Sequence, residues 1–407
     1  MILPSPQVSV KPGAKDAFAC DPNLHLLYQG REWFSLRDEV HHGAREGFYR
    51  GAVACAFNEF PQCRDDLAPI IESASHPREA YQAHDLLTWA YMRRGEFRSA
   101  LAHVEAMLAM RRNEARSRGT RALLSVLSQY PEQSIRQHHS SIVPCAMVEG
   151  NMFIPVAVNG ISANFMIDSG ATVSMITQSE AKRLGLTIQE VGADATKLYG
   201  ATGAEISFQV VNAARLDAGQ SQLANVSFLV LNDDQFQFPS GYAGALGLPV
   251  LIALQTLCWS ADGTLRFGFP AQPRDLPHAN ICFDGPEIVT EAIFRKQKLL
   301  LVLDTGSGMT VFGPPFAKKF AKLIGRSSRK SSVLLSGVSG SAEVESVCLP
   351  RIALQVGGFQ AVLGPAHVLL KSTTPSSARL VGRLGIDLLK QASRCTLDFH
   401  RMRLALE

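Results

Sequence analysis

The spacing of apolar residues divides the chain into two unlike parts. From about residue 22 to residue 135 they recur at helical intervals, as in Leu86, Leu87, Ala90 and Tyr91, then Ala100, Leu101, Val104 and Leu108. Arg94-Gly95-Glu96 interrupts the last two runs. Residues 81–110 therefore predict an antiparallel helix pair joined by a tight turn, with its apolar faces turned inward. A weaker copy lies 37 residues earlier, where Asn58 stands for Gly95, Phe60 for Phe97 and Leu67 for Val104. After the polar stretch 136–141 the pattern changes to short β-branched and apolar runs punctuated by glycine, such as 154–158, 206–211 and 228–231, which predict strands. The expected fold class is multi-domain: an α-helical, repeat-like module, then a mostly β region.

Within the β region one series of landmarks occurs twice. Phe165-Met166-Ile167-Asp168-Ser169-Gly170-Ala171 is answered by Leu301-Val302-Leu303-Asp304-Thr305-Gly306-Ser307, an offset of 136 residues. The turn Gly200-Ala201-Thr202-Gly203 is answered by Gly337-Val338-Ser339-Gly340, an offset of 137. Ala245-Leu246-Gly247-Leu248 is answered by Arg383-Leu384-Gly385-Ile386, with the glycines 138 apart. A lone Asp-Ser/Thr-Gly triplet is commonly a surface turn. Here each follows three apolar residues, so each aspartate sits where a buried strand enters a turn, and the constant offsets imply a tandem duplication.

These residues resemble the aspartic protease fold, two retropepsin-like lobes joined in one chain as in the pepsin-like enzymes, over residues 143–407. The resemblance implies a bilobed, pseudo-twofold fold with lobes 143–271 and 278–407, the Pro-rich stretch 270–277 as linker, and Asp168 and Asp304 as the catalytic pair. Two carboxylates held close cannot both ionise readily, so they share a proton, and one serves as base while the other serves as acid. The implied reaction is hydrolysis of a polypeptide substrate by an activated water. It calls for no metal, no cofactor and no covalent intermediate.

The same resemblance suggests roles for the neighbours. Ser169 and Thr305 carry hydroxyls suited to bonding across the axis, Gly170 and Gly306 leave room for water and substrate, and Gly247 and Gly385 support the loops from beneath. Tyr199, Gly200 and Gly203 resemble the substrate-binding flap. Gly337 and Gly340 keep a flap-like turn in the second copy, without a tyrosine, so one flap, as in single-chain pepsin-like enzymes, or two, as in retroviral-type dimers, both stand as readings. Ala171 faces Ser307 in the alignment, which offers a hydroxyl partner to Asp304 but not to Asp168. A mildly acidic optimum follows, nearer neutrality than in a strongly acid pepsin-like enzyme. As both aspartates lie on one chain, a monomer suffices.

Tyr91, Gly95, Phe97 and Ala100 resemble the junction of the two helices in a tetratricopeptide repeat. An ordinary helical bundle is the other reading. A repeat would offer a protein partner a surface or cover the cleft. The rival to a peptidase is a non-catalytic binding protein that keeps the protease-like lobes and works through its helices.

Charge and cysteine content narrow the remaining choices. The net charge of +4 is spread along the chain, which argues against nucleic acid or an anionic membrane as partner. No apolar run is long enough for a membrane span, and residues 1–21 form a polar tail without a signal-type core. No cysteine/histidine grouping has metal-binding spacing. Four of the eight cysteines follow the duplication, Cys145 with Cys282 and Cys258 with Cys395. Two readings stand: disulfides Cys145–Cys258 and Cys282–Cys395 within each lobe, or small buried residues copied with the unit. Bridges would imply a periplasmic or secreted protein with a leader removed; free thiols would fit the cytoplasm.

Overall fold

The computed structural model describes residues 22–42, 46–73, 77–111, 114–188, 198–199, 205–206, 208–234, 236–269, 278–337, 340–371 and 379–407. Among them, seven helices between Pro22 and Leu127 precede a mostly β remainder. The helix pairs Gly47–Ala56 with Phe60–Glu72, and Pro77–Met92 with Phe97–Met110, pack on each other across short turns. Asn58 (φ 59°) and Gly95 (φ 73°) both adopt the left-handed conformation that asparagine and glycine tolerate best. No described helix is long and apolar enough to cross a membrane.

The expected helical and linker stretch is corrected at its end. Ser134–Gln137 is a strand, paired with the edge of Ser221–Leu231. All four of its side chains are exposed, so no period-two burial marks it in the sequence.

The first β unit closes on itself. Asn151–Val158 pairs with Ile161–Ile167 and with Gln209–Ala218, and the ring continues through Ser221–Leu231, Ser174–Thr177 and Gly244–Leu246 back to Ile161–Ile167. The second unit repeats these connections as an open, ten-stranded half-barrel. In both, the strand that leads into an aspartate runs parallel to the strand that carries the later landmark. Ile167 lies beside Leu246 and Leu303 beside Leu384. A third, five-stranded antiparallel sheet joins the units. Ser141–Pro144, Thr264–Phe267 and Thr256–Ser260 come from the first, and Arg394–Asp398 and Arg403–Leu406 from the second.

The helices are fastened to both units. Trp89, Phe97 and Leu124 share an apolar cluster with Phe153, Val173 and Leu229 of the first. At the second, Asp284 is fully buried and accepts from Arg31 Nη1 at 2.5 Å, from Trp33 Nε1 at 3.1 Å and from Arg379. Burial pushes its carboxyl up, but the Arg31 and Arg379 guanidiniums outweigh that and hold it below the usual carboxylate range. Arg93 lies 4.2 Å over the Phe283 ring and donates to Gly285 O at 2.9 Å.

The symmetric disulfides do not occur. Cys145, Cys258, Cys282 and Cys395 are free. Strand Thr264–Phe267 runs between the strand ending at Pro144, just before Cys145, and the strand bearing Cys258. Two strand spacings, about 9–10 Å, exceed the reach of a disulfide. Cys282 and Cys395 lie on different sheets. Instead Cys55 is bonded to Cys63, with Cα atoms 5.0 Å apart across the turn at Asn58.

Candidate active site

Each aspartate ends a buried strand, and each loop is held by the same backbone bonds. Asp168 N donates to Leu246 O at 3.1 Å and Asp304 N to Leu384 O at 3.0 Å. Leu248 N donates to Ala171 O and Ile386 N to Ser307 O, both at 2.9 Å. Gly247 and Gly385 pass directly under these loops. A Cβ on Gly247 would lie 2.7 Å from Ala171 O, and one on Gly385 2.5 Å from the Met309 carbonyl carbon. Only glycine fits at either position without moving backbone.

The two loops meet through a reciprocal set of hydrogen bonds. Thr305 Oγ1 accepts from Ser169 N at 2.9 Å and donates to Ile167 O at 2.8 Å. Ser169 Oγ accepts from Thr305 N and donates to Leu303 O, both at 3.0 Å. Both residues are fully buried, so water does not compete for these bonds. The effect is to bring Asp168 and Asp304 face to face. A Cβ on Gly170 would lie 2.5 Å from Asp304 Oδ1, and Gly306 stands in the same relation to Asp168. Each carboxylate also accepts from the amide two residues on, Asp168 from Gly170 N at 2.9 Å and Asp304 from Gly306 N at 3.0 Å.

The electrostatics of the pair are unequal. Burial, and then the charge of Asp304, push the Asp168 carboxyl up to about 7. The expected partner of Asp304 is corrected, because Ser307 Oγ donates to Met309 O at 2.9 Å. Arg383 contacts the carboxylate instead, with Nη1 2.6 Å from Asp304 Oδ2 and Nη2 3.4 Å from Glu287 Oε1. Burial pushes Glu287 above the ordinary carboxylate range, against the pull of Arg383. Arg383 lies outside the triplet motifs, yet it carries a signal of its own: an arginine stands opposite Ala245 in otherwise apolar copies of one landmark.

Of the flap positions, Tyr199 lies in a two-residue strand, Leu198–Tyr199, paired with Glu205–Ile206, while Gly200 and Gly203 fall outside the described residues. Gly337 and Gly340 face each other at the end of the hairpin formed by Arg329–Gly337 and Gly340–Leu349. Its alternate side chains are exposed, Leu334 among them at 63%.

A family model described as aspartyl protease matches residues 154–250, which include Asp168, Ser169, Gly170 and Gly247. No curated protein matches the chain in sequence. Among solved structures, a retropepsin-like aspartic protease from Rickettsia conorii is similar at 18% identity, over 33% of this chain and 92% of that one, with a TM-score of 0.23. The aspartic proteinase from Irpex lacteus is similar at 14% identity over 65% of this chain and 96% of that one, with a TM-score of 0.39. The family match supports protease function of the aspartyl class.

Proposed function

We propose that the chain is an aspartic endopeptidase in which Asp168 and Asp304 act on one water. The observation that carries this reading is the pairing of the two aspartate loops through the buried Ser169 and Thr305 hydroxyls, since that is what a shared proton requires. The ionised carboxylate takes a proton from water, whose oxygen attacks the peptide carbonyl carbon. The protonated carboxyl gives its proton to the carbonyl oxygen. The resulting diol collapses when the leaving nitrogen receives the proton taken from water, and the second carboxyl recovers its own from a diol hydroxyl.

In this reading lobes 143–271 and 278–407 are copies of one unit, and the matched parallel pairings support that. An extended peptide lies between them, bound through its main chain, with the strand pair that carries Tyr199 and the hairpin that carries Gly337 as flaps. One chain is sufficient. The helical module, 22–135, is tetratricopeptide-like in its turns and acts as a fixed scaffold with an outer face for a protein partner. Its Arg31 ion pair and Trp33 hydrogen bond to the buried Asp284 favour that over a moving cover. The test is cleavage of an unbiased peptide library across mildly acidic to neutral pH, with product ends mapped by mass spectrometry. Internal cuts blocked by a peptide bearing a hydroxyl-substituted tetrahedral carbon at the scissile position are expected. Absence of cleavage throughout would favour a binding protein.

A further inference from the structure

Arg383 lies on the same strand, Leu380–Leu384, whose next residue, Leu384, accepts the Asp304 amide. It sits beside Val302 on one side and Val311 on the other. In the first barrel the residue with the equivalent neighbours, Met166 and Met175, is Ala245. The two halves of the dyad thus differ by one guanidinium, and among the described residues Asp168 has no such ion pair. Arg383 is itself anchored: Glu287, from the strand Glu287–Phe294, takes its other nitrogen at 3.4 Å. Its side chain is 23% exposed and touches the Asp304 carboxylate directly.

We propose that Arg383 is a positioning residue that fixes where the dyad's proton resides, holding Asp304 as the charged member and leaving the proton on Asp168. This rests on the peptidase reading and deepens it. Asp304 is then the base that draws the proton from water, and Asp168 is the acid that protonates the carbonyl oxygen. A contact with one carboxylate breaks the pseudo-symmetry of the pair, so the single negative charge is no longer free to sit on either side. The groups that face Arg383 are Asp304 and Asp168 from the two loops and Glu287 from the adjoining strand. Asp284 and Arg379 lie beyond Glu287. The cation favours each successive loss of a proton by the dyad, so its removal moves both limbs of the activity profile toward higher pH. A guanidinium beside an aspartate is commonly worth about 1–3 pH units.

Two measurements test this. Carbon-13 NMR of aspartate carboxyls in the wild-type chain, assigned with Asp168→Asn and Asp304→Asn, is expected at about pH 5, above the ordinary aspartate range, to find Asp168 protonated and Asp304 ionised. The proton on Asp304, or equally shared, overturns the proposal. The pH dependence of kcat/KM is then compared with Arg383→Gln and Arg383→Lys. Glutamine is expected to raise the acid limb by about 1–3 units and lysine to keep it closer to wild type. An unmoved acid limb in the glutamine variant overturns the proposal. If that variant is inactive, the same shift is read from its carboxyl NMR titration, and if it lacks a cooperative melt, the wild-type spectrum alone decides. Should the wild type cut no peptide, the peptidase reading fails while the spectrum still reports where the proton lies.

Discussion

Thr305→Val removes one hydroxyl and keeps the branched shape, so it isolates the bonds between the aspartate loops. The lost oxygen leaves Ser169 N and Ile167 O without partners in a site where both hydroxyl residues are fully buried. An unsatisfied buried polar group costs about 1–3 kcal/mol, so the two together cost about 2–6 kcal/mol. Thr305→Ser keeps both bonds and loses a methyl group, about 1 kcal/mol. Urea unfolding followed by tryptophan fluorescence reads the difference. Trp259 lies beside Cys395 in the sheet shared by the two units and reports on their separation. The expected result is a lower midpoint for valine at an unchanged slope, with serine near wild type. A valine variant within about 0.5 kcal/mol of wild type, or a serine variant equally damaged, would refute the argument that these bonds hold the loops together.

Other consequences are as direct. Gly170→Ala drives a methyl group into the Asp304 carboxylate. Peptidase activity should fall by about 100-fold or more with only a small loss of melting temperature, because the displaced group is a side-chain end. Asp284→Ala removes the fully buried carboxylate that the part-buried Arg31 and Arg379 guanidiniums share and should cost about 3–5 kcal/mol, measured by denaturant unfolding. Since the Asp284 carboxyl is held below its ordinary value, its contribution is present above the unfolded value of about 4 and lost as pH falls through the folded one; the variant's deficit should therefore shrink in strong acid. Asp168 behaves in the opposite sense. With its carboxyl raised to about 7, the folded chain holds a proton that the unfolded chain has released, so stability declines as pH rises from about 4 to 7. Asp168→Asn should melt higher than wild type above neutral pH, and wild-type cleavage should fall as pH passes through that value.

The legible features were those in which residue type dictates backbone. Helical periodicity gave the module, and left-handed Asn58 and Gly95 occupy matching turns. The two Asp-Ser/Thr-Gly triplets stood at the ends of apolar runs because a buried strand must stop there. What the sequence hid was contact between distant segments. Arg383 and Asp304 are 79 residues apart, and nothing in either motif states that one side chain reaches the other. Spacing left two readings of the cysteines, and the free thiols fit residues copied with the unit: a constant offset records how the units correspond, whereas a disulfide needs Cα atoms on adjoining backbone, as Cys55 and Cys63 have across one turn. The same limit applies at Asp284, whose partners Arg31, Trp33 and Arg379 come from both ends of the chain and join the module to the second unit.

The central claim is that one carboxylate from each unit acts on one water. Its most direct test is peptide cleavage by wild type, Asp168→Asn and Asp304→Asn, each checked for a cooperative melt. The account predicts cleavage by the wild type and its loss in both variants, by about 1,000-fold or more if each aspartate supplies the proton transfer assigned to it. Retention of wild-type cleavage by either folded variant would contradict it.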